Sequence, residues 1–340
     1  MTGRDVVMAC LRGEATDRAA VLCPGGMMSM AVLEVMDAAG AGWPAVHSEA
    51  EGMARLAAAM REATGFDNVA APFCMAVEAE AFGAEVDMGD RTRQPHVVRP
   101  VLPDDGSGRL PEPDMRAGRA GVLLDALRLL RRRCPDAAVI GNVVGPFSLL
   151  AMLADPLMVL RWTRRRPELV DGYLEAVSAH LERFAADQVQ AGADVVCIAD
   201  PTATGEILGG ALFARFALPW LNRLARSIRA AGGGVIVHIC GDAARLRDGL
   251  NELEADAVSV DSVVDLRALA AGRPPWRVMG NVDAFALERG PADRIERRCR
   301  RLAEAGVRLI APACGLVPTT PVAHLAAMVR GGCTGAEAHL

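Results

Sequence analysis

Gly233-Gly234-Val235-Ile236-Val237-His238-Ile239-Cys240-Gly241-Asp242 is the stretch from which the rest of this chain is read. Val235 to Val237 form a short apolar run between glycines, the mark of a buried strand. His238 and Cys240 close the run two residues apart, a spacing that puts both side chains on one face of a strand. A second apolar run, Leu309-Ile310-Ala311-Pro312-Ala313-Cys314-Gly315, also stops at a cysteine and a glycine. One imidazole and two thiols suit zinc, and three protein ligands leave a coordination position open for chemistry. The other cysteines, at 10, 23, 74, 134, 197, 299 and 333, read as small buried hydrophobes.

Outward from this stretch, one order recurs: short apolar run, turn, amphipathic helix. The predicted strands are Ala20 to Cys23, Asn68 to Phe73, Ala137 to Val144, Ala193 to Ala199, Gly234 to Cys240, Ala257 to Asp261, Trp276 to Gly280 and Val307 to Ala311. Helix-length segments lie between most of them. Glu168 to Ala191, for example, carries Leu169, Val170, Tyr173, Leu174, Val177, Leu181 and Phe184 at three- and four-residue spacing. Eight strands alternating with helices predict an α/β fold of the (β/α)8 TIM-barrel type, with an open doubly wound sheet as the alternative. A single barrel domain is expected over residues 1–330. The proline-, glycine- and charge-rich segment 86–113 is an excursion from it, read as a short hairpin, and 331–340 is read as a loose tail.

A barrel sharpens the ligand argument, because barrel enzymes build their sites at the C-terminal ends of the strands. His238 and Cys240 would end strand five, and Cys314 would follow strand eight. The same rim receives Glu78 and Glu80 after strand two, Asp200 and Glu206 after strand four, Asp261 after strand six, and Asn281 and Asp283 after strand seven. Asp200 and Asp261 read equally as caps of the helices that follow, and Asp283 reads as a cap. Glu80 fits a solvated helix face, and Glu78 follows Phe73-Cys74-Met75 closely enough to look into a pocket. His47, His96, His180, His324 and His339 read as structural or exposed.

Composition removes several classes of function. The 340 residues, 51% of them hydrophobic, support a large core. A net charge of −5 gives no basic footprint for nucleic acid. All 37 basic residues are arginine, so no lysine exists to form a Schiff base with a carbonyl substrate or pyridoxal phosphate. No signal peptide is evident in Met1-Thr2-Gly3-Arg4-Asp5. The long uncharged run Ala137 to Ala154 is broken by Gly141, Asn142, Gly145 and Pro146, which argues against a membrane span. Nine cysteines without a secretory signal suit a reducing cytoplasm.

Along nearly its whole length the chain resembles the methylcobamide:coenzyme M methyltransferases, a zinc branch of the uroporphyrinogen decarboxylase superfamily. The resemblance is carried by Pro72-Phe73-Cys74-Met75-Ala76-Val77-Glu78-Ala79-Glu80-Ala81, Gly145-Pro146-Phe147-Ser148, Ala191-Gly192-Ala193-Asp194, Asp200-Pro201-Thr202-Ala203-Thr204-Gly205, His238-Ile239-Cys240-Gly241 and Pro312-Ala313-Cys314-Gly315-Leu316. The His-x-Cys pair with a distant cysteine is its specific part.

What the resemblance implies is methyl transfer between a corrinoid, carried by a separate protein, and a thiol such as coenzyme M bound to zinc. Asp261, and after it Asp200, would be the oxygen ligand that fills the open position until the thiol arrives. No titrating base is required. Since acceptor and direction stay open, three alternatives stand: demethylation of a small methylated substrate onto the corrinoid, a decarboxylase-like activity, or a non-catalytic zinc protein that docks a corrinoid partner. The decarboxylases of the superfamily grip a tetra-acid with arginines after strand one. Here that loop reads Cys23-Pro24-Gly25-Gly26-Met27-Met28-Ser29-Met30 and carries no cation. The chain also has no Asp-x-His-x-x-Gly corrinoid signature, so the corrinoid belongs to a second chain. A homodimer is compatible with the resemblance.

Overall fold

The computed structural model describes residues 1–25, 30–272 and 274–333. In chain order the strands are β1 (Ala20–Val21), β2 (Asn68–Ala70), β3 (Glu85–Asp87), β4 (His96–Arg99), β5 (Ala138–Val144), β6 (Val195–Ala199), β7 (Gly234–Ile239), β8 (Ala257–Val260), β9 (Arg277–Met279) and β10 (Leu309–Ile310). Eight of them form one parallel sheet in the order β1-β10-β9-β8-β7-β6-β5-β2. β3 and β4 pair antiparallel as a hairpin apart from it. All eight strands expected of the barrel are present, and the hairpin opens at Glu85, one residue before the segment 86–113.

The two edge strands, β1 and β2, are neighbours in the chain and meet in space. The Asp67 amide donates to the Val21 carbonyl at 2.9 Å. The Asn68 side chain then accepts from the Cys23 amide at 2.9 Å and donates to the Cys23 carbonyl at 2.7 Å, so a side-chain amide takes over where the backbone ladder stops. Closing the sheet in this way satisfies backbone groups that an open edge would leave unpaired.

At the N-terminal ends of the strands, three aspartates repeat one device. Asp67, Asp194 and Asp256 each precede or open a strand, and each accepts the backbone N–H of a residue in the neighbouring strand: Val21, Val139 and Val235 respectively. Each carboxylate also pairs with arginine, namely Arg18, Arg131 with Arg4, and Arg229. The aspartate of the Ala191-Gly192-Ala193-Asp194 motif is therefore a clamp between strands, and its charge-assisted bonds are stronger than neutral ones.

β5 and β6 are buried throughout, as strands covered on both faces must be. The covering helices use ordinary start signals. Thr2 caps Gly3–Arg12 in a capping box, and Asp155 caps Pro156–Arg165 ahead of a proline at its first position. The predicted long helix runs Pro167–Gln190 and buries Val170, Tyr173, Leu174, Val177, Leu181 and Phe184. Its Tyr173 hydroxyl donates to the Gly108 carbonyl at 2.6 Å and ties the excursion to the barrel wall. The last helix, Val322–Gly332, includes the first two residues of the expected tail; Thr334 to Leu340, His339 among them, lie outside the described residues. No helix among the described residues is long and apolar enough to cross a membrane.

Candidate metal centre

β7 enters the barrel wall as an apolar strand buried from Val235 onward and delivers His238, itself fully buried, at its C-terminal end. Cys240 follows just past the strand, where Gly241 turns the chain with φ of +67°. A side chain there would be strained in the left-handed region, and its Cβ would meet the Glu206 carboxylate at 2.6 Å. Glu206 uses that closeness to accept the Asp242 amide at 2.7 Å, and the Gly241 amide donates to Asp261 at 3.2 Å. Two carboxylates from neighbouring loops thus hold the turn that carries Cys240.

From the other side, β10 leads to Cys314. Its sulfur lies 4.0 Å from Cys240 Sγ, and Cys240 Sγ lies 3.3 Å from His238 Nε2. All three donor atoms fall within 4.8 Å of one another, and among the described residues no other group of histidine, cysteine and carboxylate atoms gathers in this way. A tetrahedral ion at ordinary zinc bond lengths holds two sulfurs about 3.8 Å apart and a nitrogen and a sulfur about 3.6 Å apart. The donor set therefore fits such an ion in chemistry and in span.

Ser259 completes the histidine's surroundings. It stands opposite His238 in the β7–β8 register, is fully buried, and its hydroxyl meets His238 Nδ1 at 3.0 Å. Nε2 is thereby the nitrogen that faces the thiols. Burial differs across the set: His238 is inaccessible, whereas both cysteines are partly exposed.

The thiols are electrostatically unequal. The hydrogen bond from Cys240 holds the Cys314 thiol well below the ordinary range, with His238 adding to the effect against the cost of burial. The same bond pushes the Cys240 thiol up, because its proton is the one shared, and burial adds to this. Two sulfurs this close cannot both ionise readily without a cation between them.

The remaining candidates lie elsewhere on the rim. Asp261 stands beside the cluster but outside it, accepting from the Gly241 and Val263 amides. Asp200 is fully buried and accepts from the Ser148 hydroxyl at 2.5 Å and amide at 2.8 Å, so it caps helix Pro146–Leu153 rather than the helix that follows it. Burial pushes its carboxyl up to about 6 against those bonds. Glu78 is buried, accepts the Val144 amide at 2.9 Å, and is pushed up to about 7, chiefly by burial. Asp283 caps Ala284–Arg289, as expected, and also accepts from Ser262. Of the arginine-free loop after β1, Gly26 to Ser29 lie outside the described residues.

Several residues in these surroundings carried no signal in the sequence. Ser259 sits inside an apolar strand, and Ser148 inside a motif that spoke only for the fold. Their partners are distant in the chain.

The family model for uroporphyrinogen decarboxylase (URO-D) matches residues 2–331. A methylcobamide:CoM methyltransferase of Methanosarcina acetivorans is 31% identical over 333 residues, 97% of each chain. Another, of Methanosarcina barkeri, is 29% identical over 330 residues, 95% of each chain. The solved structure of a methyltransferase from Methanosarcina mazei superposes with a TM-score of 0.91 at 29% identity, covering 97% of this chain and 98% of that one.

Proposed function

The chain belongs to the uroporphyrinogen decarboxylase family, and we propose that it transfers a methyl group between a corrinoid held by a separate protein and a thiol bound at a zinc ion on His238, Cys240 and Cys314. It is a methyltransferase, like the relatives it matches over nearly its full length. The observation that carries the finer reading is the convergence of one imidazole and two thiols at the C-terminal mouth of the barrel, with the cysteines partly exposed. A structural zinc site fills all four positions with protein; this set supplies three, which supports catalysis over a docking protein with structural zinc.

His238 Nε2, Cys240 Sγ and Cys314 Sγ would hold the ion. Bound there, zinc supplies the charge that keeps a coordinating thiol deprotonated at neutral pH. The gain follows from the free thiol: at an ordinary pKa near 8.5 only about 3% is thiolate at pH 7. Ser259 keeps His238 turned toward the sulfurs. Glu206 and Asp261 hold the Cys240 turn, and Asp261 remains the first candidate for an oxygen ligand in the resting site, ahead of Asp200, whose carboxylate is committed to Ser148. In the overall reaction the methyl group leaves cobalt without the bonding electron pair and joins sulfur, and the thiol proton passes to solvent. Orientation of the two reactants in line is the barrel mouth's other contribution.

The coenzyme M of the relatives' names is the first acceptor to test. Nine cysteines, none of them in a disulfide, suit the reducing compartment that such thiol chemistry requires. Absence of cations among the described residues of the loop after β1 speaks against a porphyrinogen substrate. The test is zinc content with zinc-edge absorption to count sulfur neighbours, before and after adding small thiols. Two sulfurs rising to three with one thiol would support the reading and name the acceptor; no zinc in a chelator-free preparation would overturn it.

A further inference from the structure

The N-terminal ends of β9 and β10 meet the turn after the first helix, Gly3–Arg12, around a pocket of about 390 Å³, whereas the metal centre lies past the C-terminal ends of the strands. That is the size of a small-molecule site. Its cations are Arg267, Arg277 and Arg308, and its one acid is Glu14. Glu14 is already occupied, since its two oxygens accept from Arg12 at 2.6 and 2.8 Å. Arg308 is fixed through Nη2, which donates to the carbonyls of Thr16 and Arg18 at 2.7 and 2.8 Å and leaves the rest of the guanidinium to the pocket. Among the described residues no carboxylate pairs with Arg267 or Arg277, and no acceptor meets either guanidinium. Arg277 owes its place to Gly13, whose φ of +73° suits glycine and at which a Cβ would stand 1.9 Å from Arg277 Nη2. The guanidinium therefore lies against bare backbone, with its donors unmet.

Three like charges lining one cleft repel, and an anion bound among them relieves the repulsion. The amount of charge to be balanced decides its class. A carboxylate or sulfonate brings a single negative charge, whereas a phosphate monoester carries about −1.5 to −2 at pH 7 and offers three acceptor oxygens. The planar fork of arginine also matches phosphate two bonds at a time. Much of the remaining wall is apolar, formed by Leu266, Ala270, Pro274 and Val278. From this combination we infer that the pocket binds a small phosphorylated organic molecule, its phosphate among Arg267, Arg277 and Arg308 and its apolar body against that wall. The site stands apart from the function proposed above, since no residue that lines it is a residue of the metal centre.

Calorimetric titration of the full-length protein tests this, with phenyl phosphate as the probe and inorganic phosphate and benzoate beside it at equal ionic strength. Phenyl phosphate should bind saturably, one per chain, and about tenfold or more tightly than either of the other two. Arg277→Gln should weaken it about tenfold or more, as loss of charge-assisted bonds requires. Arg267→Gln should weaken it in the same direction and decides the question should Arg277→Gln fail to fold. Arg132→Gln removes an equal charge from an exposed residue outside the pocket and should leave the affinity unchanged. No saturable binding at millimolar phenyl phosphate, equal affinity for inorganic phosphate or benzoate, or equal weakening in Arg132→Gln and Arg277→Gln would overturn the site.

Discussion

Ser259 is the residue on which the orientation of His238 depends, and nothing in Ala257-Val258-Ser259-Val260 announces it. A serine inside a buried strand has no motif; only the pairing of His238 with Ser259 across β7 and β8 gives it a role. His238, Cys240 and Cys314 were legible for the opposite reason, since soft donors at strand ends before glycines form a pattern that local spacing exposes. Ser259→Ala should fold normally, because a small side chain replaces another, yet bind zinc about 10–100-fold more weakly, the usual effect of losing a histidine's outer partner. Competition with a chelating dye measures this, Ser259→Thr should restore part of the affinity, and an unchanged affinity in Ser259→Ala would show that packing alone orients the ring.

Strands and helices were legible where periodicity was strong, and their ends were less so. β2 stops at Ala70 instead of reaching Phe73 because Pro72 has no N–H to give the ladder. The cap of helix Pro146–Leu153 was out of reach for a different reason: Asp200 comes from the end of β6, more than fifty residues along the chain, so its role is a tertiary fact. Its chemistry yields a pH signature. A carboxyl raised from 3.8 to about 6 keeps its proton in the folded protein over a range where the unfolded chain has released it. Stability from this group is therefore greatest below about pH 4 and is lost as pH rises to about 6, a change of about 3 kcal/mol. Asp200→Asn removes the titration, so the stability of the wild type relative to this variant should fall by about that amount across the window. Urea unfolding of both proteins between pH 4 and pH 7 reads it, with Glu78 cancelling in the comparison; a difference constant with pH would contradict the argument.

At the scale of the molecule, every device described serves one arrangement: a closed barrel whose lower end is clamped by Asp67, Asp194 and Asp256 and whose upper end gathers donors from strands far apart in sequence. The alternation of strand and helix was enough to read the barrel, because each element carried its own local signal. It was not enough to read which rim carboxylates face the cysteines and which hold loops, since that depends on register and curvature. The most direct measurement is methyl transfer itself: zinc-loaded protein is mixed with methylcobalamin and 2-mercaptoethanesulfonate, the cobalamin spectrum is followed, and the methyl thioether is identified by mass. The account predicts thioether in step with loss of methylcobalamin, and a drop of a hundredfold or more, about 3 kcal/mol, in Cys240→Ala and Cys314→Ala. Transfer that survives in either cysteine variant, or none from the zinc-loaded wild type with any small thiol, would contradict it.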